Sequence, residues 1–188
     1  HDYPIRYTFG WWPLQQYLVE FPGGRLQALG IAWDSRDKAQ GGQRWFHLYP
    51  DEPMDHRNRL HWTGRDQNWN HQCAECHSTN LEKRYDLGTD TFATTWSDIN
   101  VGCEACHGPG SRHVAQARGA QPQAWDARKG FVVDPADRDG GTWGWDAKAG
   151  VPARSVPRQD MGQLEVCAHC HSRRGQISEP YRPGRPLG

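Results

Sequence analysis

Cysteine and histidine recur together three times in this chain, as Cys73-Ala74-Glu75-Cys76-His77, Cys103-Glu104-Ala105-Cys106-His107 and Cys167-Ala168-His169-Cys170-His171. All 6 cysteines are used by these units. On a helical turn, positions i, i+3 and i+4 share one face, so each unit aims two thiols and one imidazole at the same object. That object reads as a haem. The two thiols add across its vinyl groups, and the adjacent imidazole becomes an axial base for its iron. The attaching residues are then Cys73, Cys76 and His77, Cys103, Cys106 and His107, and Cys167, Cys170 and His171, with His77, His107 and His171 as the proximal iron ligands. Zinc is the rival reading, but three Cys-x-x-Cys pairs do not divide into tetrathiolate sites, and zinc gives no reason for His to follow every second Cys. A disulfide framework fails because no thiol is spare.

Closing each iron with a second imidazole requires three further histidines. The remaining ones are His1, His47, His56, His61, His71, His113 and His169. His113 follows His107 across Gly108-Pro109-Gly110-Ser111-Arg112, a turn that can throw it toward a neighbouring iron. His61 sits in the loop before the first unit, and His47 lies among Trp45, Phe46 and Tyr49. These three are the expected distal ligands, with His71 in reserve. His169 lies between the cysteines of its own unit and should face away from that haem. Met54 and Met161 are the only methionines; since Met ligation raises potentials, low potentials are expected.

The elements that must position these groups form an α+β chain with little regular structure. Residues 1–50 read as a small antiparallel β meander, with extended segments at 5–9, 16–21, 26–33 and 44–49 and hairpin chemistry at Pro22-Gly23-Gly24. Residues 51–188 read as a triheme region of short helices and long loops, including a wrapping loop around 119–158 marked by Pro122, Pro135, Gly140-Gly141, Pro152 and Pro157. With 188 residues, 36% hydrophobic content and a mean hydropathy of −0.93, aliphatic packing cannot hold such a chain by itself. The 10 Trp suit packing on large flat cofactors.

Basic and acidic residues balance at 22 each, which gives no footprint for nucleic acid or an anionic membrane. Propionates from three haems would make the loaded protein more acidic, and some Arg residues are expected to pair with them. No apolar run reaches the roughly 18 residues that span a bilayer. Covalent haem attachment takes place outside the cytoplasm, so the expected location is periplasmic or extracellular in a bacterium. The abrupt start at His1-Asp2-Tyr3-Pro4 and stop at Arg185-Pro186-Leu187-Gly188 read as a fragment of something longer.

The stretch Leu60-His61-Trp62-Thr63-Gly64-Arg65, then Asn68-Trp69-Asn70, Cys73 to Leu81, Thr94-Thr95-Trp96 and Val101 to Ser111 resembles the cytochrome c554-type multihaem family. It is most similar to the large members that continue into tetratricopeptide repeats. Tyr3 to Tyr7 and Arg44 to Glu52 look like that group as well. The resemblance implies bis-His haems packed in close pairs, an electron-transfer role, and a distal-ligand role for His113. The function expected is electron relay between other redox proteins, which would be cytochromes or further haem domains of the same assembly. Two alternatives stand beside it: a haem enzyme acting on a small nitrogen or sulfur species at an open iron, and a conducting link in a polymer of cytochromes. An electron carrier is preferred over a catalyst because there are enough histidines to close every iron.

Overall fold

A computed structural model of the protein describes residues 1–119, 125–136, 139–177 and 180–187. Pro122 of the expected wrapping loop lies outside the described residues. The chain divides into two units, one of His1–Gly102 with Arg174–Pro180 and one of Cys103–Arg173 with Tyr181–Gly188. The sequence reading divides the chain at residue 50; in the structure the meander and the first Cys-x-x-Cys-His unit share one body.

In the first unit, β1 (Ile5–Phe9), β2 (Leu14–Phe21), β3 (Arg25–Ala28), β4 (Ile31–Asp34) and β5 (Arg44–His47) form an antiparallel sheet. The expected strand over 26–33 is broken. Leu18 faces Ala28, whereas Leu14 faces Asp34, so the pairing with β2 slips by two residues at Leu29-Gly30, as at a β-bulge. Gly23 and Gly24 turn the chain at φ 74° and 70°, the left-handed region that glycine enters without strain.

One face of this sheet is apolar. Phe9, Leu18, Leu26 and Ala28 are buried there with Trp69, Ala74 and Leu81 from the following segment, and Cys73, Tyr7, Trp96 and Ile99 pack against them. This core is why residues beyond 50 stay with the sheet: helices α1 (Trp69–Gln72) and α2 (Ala74–His77) lay their buried side chains on it. Asn70 locks the join, since its carbonyl accepts from the Leu26 amide at 2.7 Å and its amide donates to the Gly24 carbonyl at 3.2 Å. A hairpin of β6 (Tyr85–Asp86) and β7 (Thr91–Phe92) adds strands where the sequence suggested only helices and loops. The Asp86 carboxylate accepts from the Gly88 and Thr89 amides and shapes its turn.

The second unit holds α3 (Cys103–His107), α4 (Ser111–Ala117) and α5 (Gly162–His171), together with a hairpin of β8 (Trp143–Asp146) and β9 (Val151–Arg154) inside the stretch expected to be loop. Asp146 makes that turn by accepting from the Lys148 and Ala149 amides. No helix among the described residues is long and apolar enough to cross a membrane.

Candidate haem-attachment sites

Each Cys-x-x-Cys-His unit is helical. In the first, the Cys76 and His77 amides both donate to the Cys73 carbonyl, at 3.2 and 3.0 Å, closing the turn that sets the two sulfurs and the imidazole on one face. The second unit forms α3 whole, and the third ends α5, which terminates at His171. None of the 6 cysteines is in a disulfide. Burial pushes the Cys73 thiol up to about 11, with Cys76 adding to it. A thioether at that position carries no such charge, so the buried sulfur suits its alkylated form. Partial desolvation lowers the His77 imidazole, which keeps it neutral with a lone pair to give. Phe9 meets that ring edge-on at 5.7 Å.

The second unit of the fold gives the fullest site. His107 Nδ1 lies 3.1 Å from the Val133 carbonyl, and His113 Nδ1 lies 2.8 Å from the Lys129 carbonyl. A carbonyl only accepts, so in both rings Nδ1 carries the proton and Nε2 keeps its lone pair. That is the tautomer an iron ligand needs. The segment 129–133 is itself fixed, because the Val132 and Val133 amides both donate to the His107 carbonyl at 3.1 Å. Phe131 lies against both imidazoles, 5.0 Å from His107 and stacked at 4.4 Å on His113. Two glycines allow this close passage. A Cβ on Gly108 (φ 74°) would stand 3.0 Å from Val132, and one on Gly130 (φ 81°) would stand 2.9 Å from the His113 amide.

The other expected ligands are placed differently. The Tyr49 amide donates to His47 Nδ1 at 3.0 Å, which in a neutral ring leaves the proton on Nε2. His61 Nδ1 accepts from the Thr63 amide at 3.3 Å and lies 2.8 Å from the Thr63 hydroxyl, so, as for His47, the neutral ring carries its proton on Nε2. His71 faces a cleft of the first unit, where desolvation, then Lys83 and Arg65, lower its imidazole. His169 packs on Tyr181 at 4.7 Å.

The donor set fits covalent haem better than a bare ion. Among the described residues, no three His, Cys, Asp or Glu side chains converge into a metal cage. Thioether anchors with an axial imidazole do not need one, since the macrocycle supplies the equatorial nitrogens. Each unit also buries a donor in want of an acceptor. Trp69, one turn before Cys73, is fully buried with no hydrogen-bond partner at Nε1, and Tyr181 Oη, whose phenol is raised first by burial and then by Glu165 and Cys106, is likewise unpartnered. A haem carboxylate would satisfy either. Sequence reasoning missed Lys129, Val133, Phe131 and Tyr181; the first two act through backbone carbonyls, which leave no residue signature.

Residues 32–108 match the family model described as cytochrome c554 and c-prime. That stretch, which contains the first two attachment units entire, is similar to c-type cytochromes of the cytochrome c554 type. Covalently bound haem c and electron carriage come with that class. Neither curated proteins nor solved structures yield a match to the chain.

Proposed function

We propose that the protein is a triheme electron-transfer module, exported to the periplasm or cell exterior of a bacterium. It carries one haem c on each Cys-x-x-Cys-His unit and exchanges electrons with cytochromes or further haem domains of the same assembly. The observation that carries this reading is the matched anchoring of His107 and His113, both with Nδ1 on a backbone carbonyl and Nε2 free. An enzyme needs an open iron; a second imidazole prepared in the same tautomer as the proximal one supports a closed, low-spin iron instead. His77, His107 and His171 serve as proximal ligands and His113 as one distal ligand. His61 and His47 follow as the other distal ligands, each of which must first release a backbone amide, of Thr63 or Tyr49, from Nδ1.

Close packing of two haems is supported in the second unit of the fold. The Cys106 thiol is raised first by burial and then by Cys167 of the third attachment unit, which supports that reading. Electrons pass quickly only between macrocycles held near one another, a condition this reading requires of the haems on the second and third attachment units. The test is spectroscopic. Oxidised protein should be low-spin at every iron and should not bind cyanide, carbon monoxide or nitrite readily. A high-spin, ligand-binding haem in the unmutated protein overturns the carrier reading in favour of an enzyme acting on a small nitrogen or sulfur species.

A further inference from the structure

The first unit of the fold contains a cleft of about 460 Å³ that none of the attachment motifs uses. It lies on the far side of β3 from the core. Leu26 and Ala28 point into the core against which Cys73 packs, while Arg25 and Gln27, alternating with them, line the cleft. Its walls are aromatic: Phe21 stands at the end of β2, and Tyr85 and Phe92 face each other across the β6–β7 hairpin at 4.7 Å.

The charged groups on those walls are three cations, Arg25, Arg65 and Lys83, and one carboxylate, Asp90. Arg25 is already neutralised, held by Asp90 at 2.6 Å, and Asp90 also accepts from the Tyr85 hydroxyl at 2.7 Å. Arg65 projects into solvent with only a 3.6 Å contact to Asp66. Lys83 is different. It is half-buried, its ammonium has no ion-pair partner among the described residues, and desolvation lowers it while Glu75 only partly compensates. The His71 imidazole opens on the same space. A half-buried cation that no ion pair holds and that Glu75 compensates only in part is costly, and an anion seated beside it recovers part of that cost.

We propose that this cleft binds a carboxylate carried on a flat aromatic or macrocyclic body, with Lys83 and Arg65 as the charge partners, His71 as a hydrogen-bond donor and Phe21, Tyr85 and Phe92 as the stacking walls. The volume falls in the range of small-molecule sites, and the mixture of apolar wall with a few convergent polar groups is what such sites show. Two sources carry this chemistry, a free aromatic carboxylate and a propionate of a haem; only the second rests on the reading above.

The experiment uses holoprotein whose haem content has first been fixed by pyridine haemochrome, so that loss of haem is seen separately. Benzoate and inorganic phosphate are titrated calorimetrically into the unmutated protein, Lys83→Gln and Lys83→Arg, and each haem potential is measured. If the ligand is free, benzoate binds one to one, phosphate competes poorly, Lys83→Gln weakens benzoate about tenfold or more and Lys83→Arg restores it. If the source is a haem, benzoate does not bind, and Lys83→Gln lowers one potential and shifts a propionate bending band in the resonance Raman spectrum. Benzoate binding that ignores Lys83→Gln, phosphate competing equally, or no response in either arm overturns the proposal.

Discussion

His113 Nδ1 lies 2.8 Å from the carbonyl oxygen of Lys129, 16 residues further along the chain. That contact fixes the proton on one side of the ring and leaves the other nitrogen able to ligate. His107 is treated in the same way by Val133, four residues beyond Lys129, so one short segment sets the tautomer of both imidazoles. Replacing His113 by Ala should therefore open one iron. A high-spin band should emerge for that haem, carbon monoxide should bind it, and its potential should rise as a basic ligand is lost. The other haems should remain low-spin. An unchanged spectrum would remove His113 from the ligand set.

Stoichiometry follows from the three attachment units. Denatured protein should carry three haem additions by mass spectrometry, and Cys103→Ser with Cys106→Ser should remove one of them. Fewer than three in the unmutated protein, or zinc by elemental analysis, contradicts the triheme reading.

The macrocycles should also contribute to the fold. The apolar core of the first unit rests on Phe9, Leu18, Leu26, Ala28, Trp69, Ala74 and Leu81, a small set for a chain of 188 residues. Changing all six Cys to Ser should leave a polypeptide without a cooperative thermal transition, because binding free energy of a cofactor that only the folded state holds is lost. In haem-loaded protein, Leu18→Ala should cost about 2–5 kcal/mol, as truncation of a fully buried leucine does. A cooperative melt of the Cys-free chain by circular dichroism would falsify the first of these expectations.

A pH dependence is built into the end of β4. The Asp34 side chain is almost fully buried and accepts from the Arg36 guanidinium at 2.6 Å, which holds its carboxyl at about 2 against an ordinary 3.8. A carboxyl lowered in the folded state binds its proton later than the unfolded chain does. Its contribution is therefore complete above pH 3.8 and is lost as pH falls from there toward 2. Arg36→Gln should reduce the melting temperature at pH 6 and flatten its fall across that acidic window. Equal slopes for both proteins would show that the pair does not govern acid stability.

The attachment chemistry was legible in the residues alone. Cys-x-x-Cys-His needs only a helical turn to work, and a turn is a local matter settled by spacing. The meander was legible for a similar reason, since alternation and Pro22-Gly23-Gly24 act within a few residues. What the sequence could not rank was the set of distal histidines. His47, His61 and His113 are equivalent as letters, and they part only when the fold brings the Lys129 carbonyl to His113 while His47 and His61 accept amides two residues along. The slip at Leu29-Gly30 and the cleft behind β3 were hidden too, because both depend on which strand lies alongside which. Backbone donors and acceptors are the same at nearly every residue, so their partners become known only when the chain has folded back on itself.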